Sequence, residues 1–235
     1  MAIIDSLESF WELEANGNDS HGSNNLTDEG VVTYTTGKVG NCANFELDSG
    51  QRLYLASNSS LQTGDIDFTF AQWVQLESNG AAIYSAGKWT SAGDQREWFT
   101  RYDPGSNRFE FFASADGASS TIATANNFGA PSLATWYFLV VWHNATANTI
   151  NIQVNDGTAN SFAHAGGIFL GSGLFNIGAR GDGSGWDGLG DQVGFWKGLL
   201  SDAERTWLYN SGAGRSYADI VAEASGGVRR FLLMR

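Results

Sequence analysis

From Asp67 to Leu76 the chain reads Asp-Phe-Thr-Phe-Ala-Gln-Trp-Val-Gln-Leu, and its apolar residues recur with a period of two. Such alternation belongs to an extended segment with one face buried and the other turned elsewhere, because successive side chains of a strand point to opposite sides. Phe68, Phe70, Val74 and Leu76 are expected on one face, and Thr69, Ala71, Trp73 and Gln75 on the other. Thr149–Val154 repeats the pattern with Ile150, Ile152 and Val154, before Asn155-Asp156-Gly157 supplies a turn. At least a dozen such short segments follow one another, separated by Gly, Asn, Asp and Ser, without intervening helical periodicity. That arrangement predicts an all-β fold: a two-sheet antiparallel β-sandwich.

One short C-terminal helix is expected over Ser201–Tyr209, where Ser201 and Glu204 have capping-box spacing and Asn210-Ser211-Gly212 supplies the stop. A sandwich domain is accordingly assigned to 1–212 and a tail to 213–235. In the tail, Tyr217–Ala224 can form a helical turn or two, and Gly226-Gly227 is expected to break it. The remainder reads either as a last strand or frayed end, or as a strap that docks on a partner or mediates homo-oligomerisation.

Composition narrows the function. The chain has 25 acidic and 13 basic residues, a formal charge of −12, which argues against phosphate recognition and hence against a nucleic-acid partner. The longest aromatic and aliphatic run, Trp136–Trp142, is far shorter than the roughly 20 residues of a spanning helix, so membrane insertion is not expected. Met1–Asp5 shows no basic, apolar leader pattern. The single Cys42 has no partner within the chain for a disulfide.

Catalytic constellations are scarce. The three histidines, His21, His143 and His164, form no zinc-binding pattern, and neither a Gly-x-Ser-x-Gly elbow nor a Cys-x-x-Cys pair occurs. The Glu-x-Asp-x-x-Glu arrangement that places acid and nucleophile on either side of a glycosidic bond is absent. Gln95–Tyr102 contains Arg, Gln and Tyr of the kinds polysaccharide lyases use, without their usual motifs. Gly183-Ser-Gly-Trp-Asp-Gly188 formally matches a dinucleotide fingerprint, but no helical pattern follows it.

The order of segments resembles the laminin-G-like, concanavalin A-like jelly rolls from about Leu7 to Gly212. The resemblance is carried by Phe10-Trp-Glu-Leu-Glu14 with the polar loop Asn18–Leu26, then Gly37-Lys-Val-Gly40, Asn44-Phe-Glu-Leu47 and Asp67–Val74. Trp136–Val141, Asn151–Asn155, Phe175–Gly178, Gly188–Trp196, Leu200–Glu204 and Leu208-Tyr-Asn210 then follow in family order. The resemblance implies a non-catalytic binding or structural module, with a polysaccharide-active enzyme or its accessory carbohydrate-binding domain as the alternative. It also implies a structural calcium ion, with Asp19, Asn24 and Asp191 on the matching positions. Sugar recognition needs aromatic platforms beside polar groups, and Trp89, Trp98, Tyr102 and Trp186, in or beside expected loops and strand ends, are the candidates. An extracellular type of module without a visible export segment fits a virion surface protein, a capsid decoration, fibre or tail component. Such a protein would be released by host lysis and would contact glycans and capsid or tail proteins.

Overall fold

A computed structural model describes residues 3–232, with side chains described through residue 226. Its strands run β1 (Leu7–Trp11), β2 (Thr27–Glu29), β3 (Thr33–Thr36), β4 (Asn41–Phe45), β5 (Arg52–Leu55), β6 (Phe68–Leu76), β7 (Ile83–Thr90) and β8 (Gln95–Asp103). There follow β9 (Arg108–Ala113), β10 (Thr121–Thr124), β11 (Trp136–Asn144), β12 (Thr149–Val154), β13 (Asn160–Ala163), β14 (Phe175–Ile177) and β15 (Gly188–Trp196), then the helices α1 (Asp202–Tyr209) and α2 (Tyr217–Leu232). The strands form two antiparallel sheets. The first has the order β13-β12-β11-β6-β15-β4-β3, with β1 also pairing β15, and the second has the order β10-β9-β8-β7-β14-β5-β2.

The alternation does what it predicts. Phe68, Phe70, Val74 and Leu76 enter the main core between the sheets together with Ile150, Ile152 and Val154. Ala71 and Trp73, of opposite parity, join a second apolar cluster on the outer side of the first sheet. That cluster is closed by the N-terminal residues Ile3 and Leu7, by Leu200 and Leu208, and by Ile220 of α2. A small polar bridge crosses the main core, where the Gln72 amide donates to Ser85 Oγ at 2.8 Å and to Thr100 Oγ1 at 3.1 Å.

Helix α1 starts with the expected capping box between Ser201 and Glu204 and ends at Asn210 in a left-handed conformation, φ 50°. A second helix is added to the single one expected. It runs through Gly226 and Gly227, which do not break it. Tyr217 at its start seats its ring 5.9 Å from that of Phe10 and shares a 3.0 Å hydrogen bond with His21 Nδ1, and Ile220 is fully buried. The chain just past Gly212 is thus packed on the sandwich. No helix among the described residues is long and apolar enough to cross a membrane.

Candidate functional site

The outer face of the second sheet is unusual for a solvent-side surface in being aromatic. Both parities of β8 carry rings: Trp98 and Tyr102 belong to the main core, whereas Phe99 belongs to a separate outer cluster with Tyr84, Trp89 and Phe112. Strand pairing builds this floor. Gly87, Phe99 and Phe112 stand in one row across β7, β8 and β9, and Tyr84, Arg101 and Glu110 in the next. Phe99 stacks on Phe112 with ring centroids 4.4 Å apart and meets Trp89 edge-on at 4.7 Å, both favoured aromatic arrangements.

Two guanidinium groups roof the floor. Arg180 lies 4.4 Å from the Tyr84 ring centroid and Arg101 4.6 Å from that of Phe112, within cation–π range. Both are anchored by carboxylates. Arg101 Nε donates to Glu110 Oε2 at 2.9 Å, Arg101 Nη2 approaches Asp103 Oδ1 at 3.0 Å, and Arg180 Nε meets Asp182 Oδ1 at 2.7 Å. Burial alone would lower the Arg101 pKa, but the hydrogen bond and charge of Glu110, aided by Tyr84 and Asp103, raise it above its ordinary value.

The loop after β14 forms one wall of a cleft beside this floor. It is pinned by Gly181 N–H donating to the Trp89 carbonyl at 2.9 Å, Arg180 N–H to Ser184 O at 2.7 Å and Tyr84 N–H to Gly185 O at 3.0 Å. Only glycine fits at 181, since a Cβ there would lie 2.4 Å from Thr90 Oγ1 and 2.7 Å from the Trp89 carbonyl oxygen. The cleft, of about 360 Å³, is bounded by Glu29, Gln51, Arg52 and Asp182, with four glycines supplying bare backbone. Arg52 pairs with Glu29 at 2.9 Å and lies over the half-buried Tyr54 ring at 5.2 Å. Tyr54 pairs with Asn176, and Asn176 with Gly87, so one row joins the Tyr54 ring to the aromatic floor. Asn176 Oδ1, buried on that row, has no hydrogen-bond partner. The floor rings themselves are buried beneath the two arginines, so what the cleft offers a ligand is planar ionic side chains, bare backbone and the half-buried Tyr54 ring beside Arg52.

The structure corrects the four aromatic platforms expected from the sequence. Trp98, Tyr102 and Trp186 are 0%, 2% and 1% exposed and point into the main core, where a sugar cannot reach their faces. Trp186 enters from a loop, its indole donating to the Leu189 carbonyl at 3.3 Å. Trp89 alone is on the outer cluster, and at 5% exposure it is part of the floor, not a free platform. Tyr54, Tyr84, Phe99, Arg52, Arg101 and Arg180, which build this face and its cleft, are not among the residues singled out from the sequence. The opposite parity of Phe99 and Arg101 in β8 was the only local signal for them.

The residues expected to hold calcium do not form a cation cage. Asp19 Oδ1 accepts backbone N–H groups from Phe10, His21 and Gly22, each at 3.0 Å, and Asp19 Oδ2 accepts that of Asn24. Asn24 Oδ1 in turn accepts from Asn58 Nδ2 and Ser60 Oγ. Asp191 is held elsewhere, its Oδ2 accepting from the Lys38 and Val39 amides at 2.7 and 2.9 Å. The Asp19 and Asn24 side-chain oxygens are thus engaged by N–H and O–H donors, whereas Asp191 Oδ1 has no hydrogen-bond partner; calcium takes six to eight oxygen ligands. Among the described residues, no three of Asp, Glu, His and Cys gather closely enough to hold a metal ion. Asp19 serves as the organiser of its own loop.

Solved structures share this architecture at low identity. Domain 4 of AbnA, an extracellular arabinanase from Geobacillus stearothermophilus solved in complex with arabinotriose, aligns with a TM-score of 0.64 at 15% identity, over 86% of this chain and 97% of that domain. The binding domain of Paraclostridial Mosquitocidal Protein 1 aligns with a TM-score of 0.68 at 16% identity, over 88% of this chain and 52% of that one. A botulinum neurotoxin type C structure, whose report ties cell entry to interaction with two ganglioside molecules, aligns at 0.66 and 12% identity, over 89% of this chain and 52% of that one. This chain thus spans about half the length of the toxin chains it matches. At such identities the fold is what is shared. Comparison with curated protein sequences finds no match. Residues 47–204 match a family model, and the chain belongs to the concanavalin A-like lectin/glucanases superfamily.

Proposed function

We propose that the protein is a non-catalytic glycan-binding module and that the cleft at Arg52 and Asp182, beside the outer face of the second sheet, receives the saccharide. The observation that carries this reading is a cleft of about 360 Å³ lined by the Arg52–Glu29 pair, Asp182 and bare glycine backbone, with Arg52 lying over the half-buried Tyr54 ring. Fold relatives support it, since they include an arabinanase domain with arabinotriose bound and toxin binding domains reported with ganglioside or SialylT. The carboxylates of this face favour binding over turnover. Glu110 and Asp103 are held by Arg101, Asp182 by Arg180 and Glu29 by Arg52, so each is committed to an ion pair and none is left free to reach a glycosidic oxygen as a general acid.

A glycan array including arabinotriose and sialylated glycans, followed by calorimetric titration of the best ligand, tests the reading. The double variant Arg52→Ala/Tyr54→Ala is expected to bind at least about tenfold more weakly, as the loss of one charge-assisted contact and one ring face implies. Unchanged affinity in a folded variant refutes the site. Release of reducing sugar or unsaturated product from the bound glycan refutes the non-catalytic assignment and favours the enzyme.

The setting proposed is display on a surface, with a virion as the specific case, where capsid or tail proteins would be its neighbours. Relatives acting outside cells support surface display. Mass spectrometry of purified particles is expected to find the chain, and its absence there overturns the virion setting while leaving the binding site to be judged separately.

A further inference from the structure

A second cleft, of about 580 Å³, opens on the opposite side of the sandwich, between the β12–β13 turn and the first turns of α1. That volume is within the roughly 300–1,000 Å³ typical of small-molecule sites. Trp142 of β11 and Gln153 of β12 contribute to its lining, with Asp156 from the turn and Asp202, Arg205 and Thr206 from the helix. Trp142 is partly exposed, unlike the aromatic residues of the opposite floor. Its ring lies 4.3 Å from the Arg205 guanidinium, which holds it in place.

The walls are tied together without a ligand. Thr206 Oγ1 donates to Asp156 Oδ1 at 2.6 Å, linking helix to turn, and Gln153 Nε2 donates to the Gly157 carbonyl at 2.7 Å. Arg205 spends its donors internally, on Gln153 Oε1 at 2.7 Å, on the Leu200 carbonyl and on the Asp202 carboxylate. Its cation is therefore engaged, and the exposed acids Asp156 and Asp202 outnumber it at the rim. With a net charge of −12 on the whole chain, an anionic ligand meets repulsion here. An apolar ring face on Trp142 and hydroxyl donors toward carboxylate oxygens are the chemistry of an uncharged polyol ring.

We propose that this cleft is a second saccharide site, selective for neutral over acidic oligosaccharides and separate from the face assigned above. Sites on opposite sheets would let one chain join two glycan strands or hold one branched surface with avidity.

The test uses the full chain with ¹⁵N-labelled indoles, the Trp142 signal being assigned through Trp142→Phe, titrated with arabinotriose, xylotetraose and cellotetraose, and with trigalacturonic acid as the acidic probe. The expected result is a saturable shift of the Trp142 indole with at least one neutral probe and none with trigalacturonate. Asp156→Lys, on an exposed turn, should weaken that binding at least tenfold, whereas Arg52→Ala should leave it unchanged. A Trp142 signal unmoved by every neutral probe overturns the proposal, as does an equal shift with trigalacturonate or undiminished binding in Asp156→Lys. Loss of the shift in Arg52→Ala assigns the effect to the other face and overturns it too.

Discussion

Replacing Lys88 with methionine is expected to cost about 3–5 kcal/mol of unfolding free energy, the usual effect of leaving one partner of a buried ion pair alone. Lys88 stands in the inner row of the second sheet, opposite Trp98 and Phe175, where an apolar residue would ordinarily sit. Its Nζ meets Glu97 Oε1 at 2.8 Å, and neither side chain has any exposure. Ser57 and Thr63, from the segment between β5 and β6, close the pair: Lys88 donates to Ser57 Oγ at 3.2 Å and Thr63 Oγ1 donates to Glu97 Oε2 at 3.4 Å. Burial pushes the Glu97 carboxyl up to about 7, against the pull of Lys88 and Thr63. Without Lys88 nothing comparable offsets that burial.

In a domain of this size each kcal/mol moves the melting temperature by about 2–4 °C, so the single variant should melt roughly 6–20 °C lower. Lys88→Met/Glu97→Leu removes both charges and the desolvation they require, so most of the loss should return. Chemical unfolding of the single and double variants is the measurement. A single variant within 1 kcal/mol of the parent, on the order of an ordinary exposed pair, would show that the pair contributes little; a double variant less stable than either single would contradict the electrostatic account.

The second large effect is a pH dependence centred on Asp191. This residue is wholly buried at a bulge in β15, and Asp191 Oδ1 has no hydrogen-bond partner. Burial pushes its carboxyl up to about 7, and the Val39 and Lys38 amides oppose the shift only in part. Between the ordinary 3.8 and about 7 the folded chain keeps a proton that the unfolded chain has released. The group's favourable contribution is therefore complete below the ordinary value and is lost as the pH rises to about 7.

Asp191→Asn has the same shape, keeps an oxygen for the Lys38 and Val39 N–H groups, and has no proton to lose. It should be more stable than the parent at pH 8 by about 2–4 kcal/mol and should flatten the decline of melting temperature between about pH 4 and 7. Parallel stability curves for parent and variant across that range would rule out Asp191 as the titrating group.

How much could be read in advance differs from segment to segment. Asp67–Leu76 announced both its strand and its two faces, because Phe68, Phe70, Val74 and Leu76 share one parity and only Trp73 is large on the other. The Ser201–Glu204 cap was equally legible, since both of its hydrogen bonds join residues three apart. In β8, by contrast, Trp98 and Tyr102 alternate with Phe99 and Arg101, so hydrophobicity alone does not choose an inner face. Pairing with β7 and β9 makes that choice, sending Trp98 to the core and Phe99 to the outer floor. Trp186 was misjudged because its loop folds back, with its backbone N–H bonded to the Gly178 carbonyl at 2.7 Å.

The sequence by itself determined the all-β class, the short strands and their turns, and the capped helix, because all of these follow from the preferences of neighbouring residues. Tertiary structure decided everything about the two proposed binding surfaces. Arg52, Tyr84, Arg101 and Arg180 come from four separate segments, and Trp142 and Arg205 from two more, so their meeting depends on sheet order and register. It also decided which aromatic residues are buried, since a ring's exposure depends on what the rest of the chain lays over it.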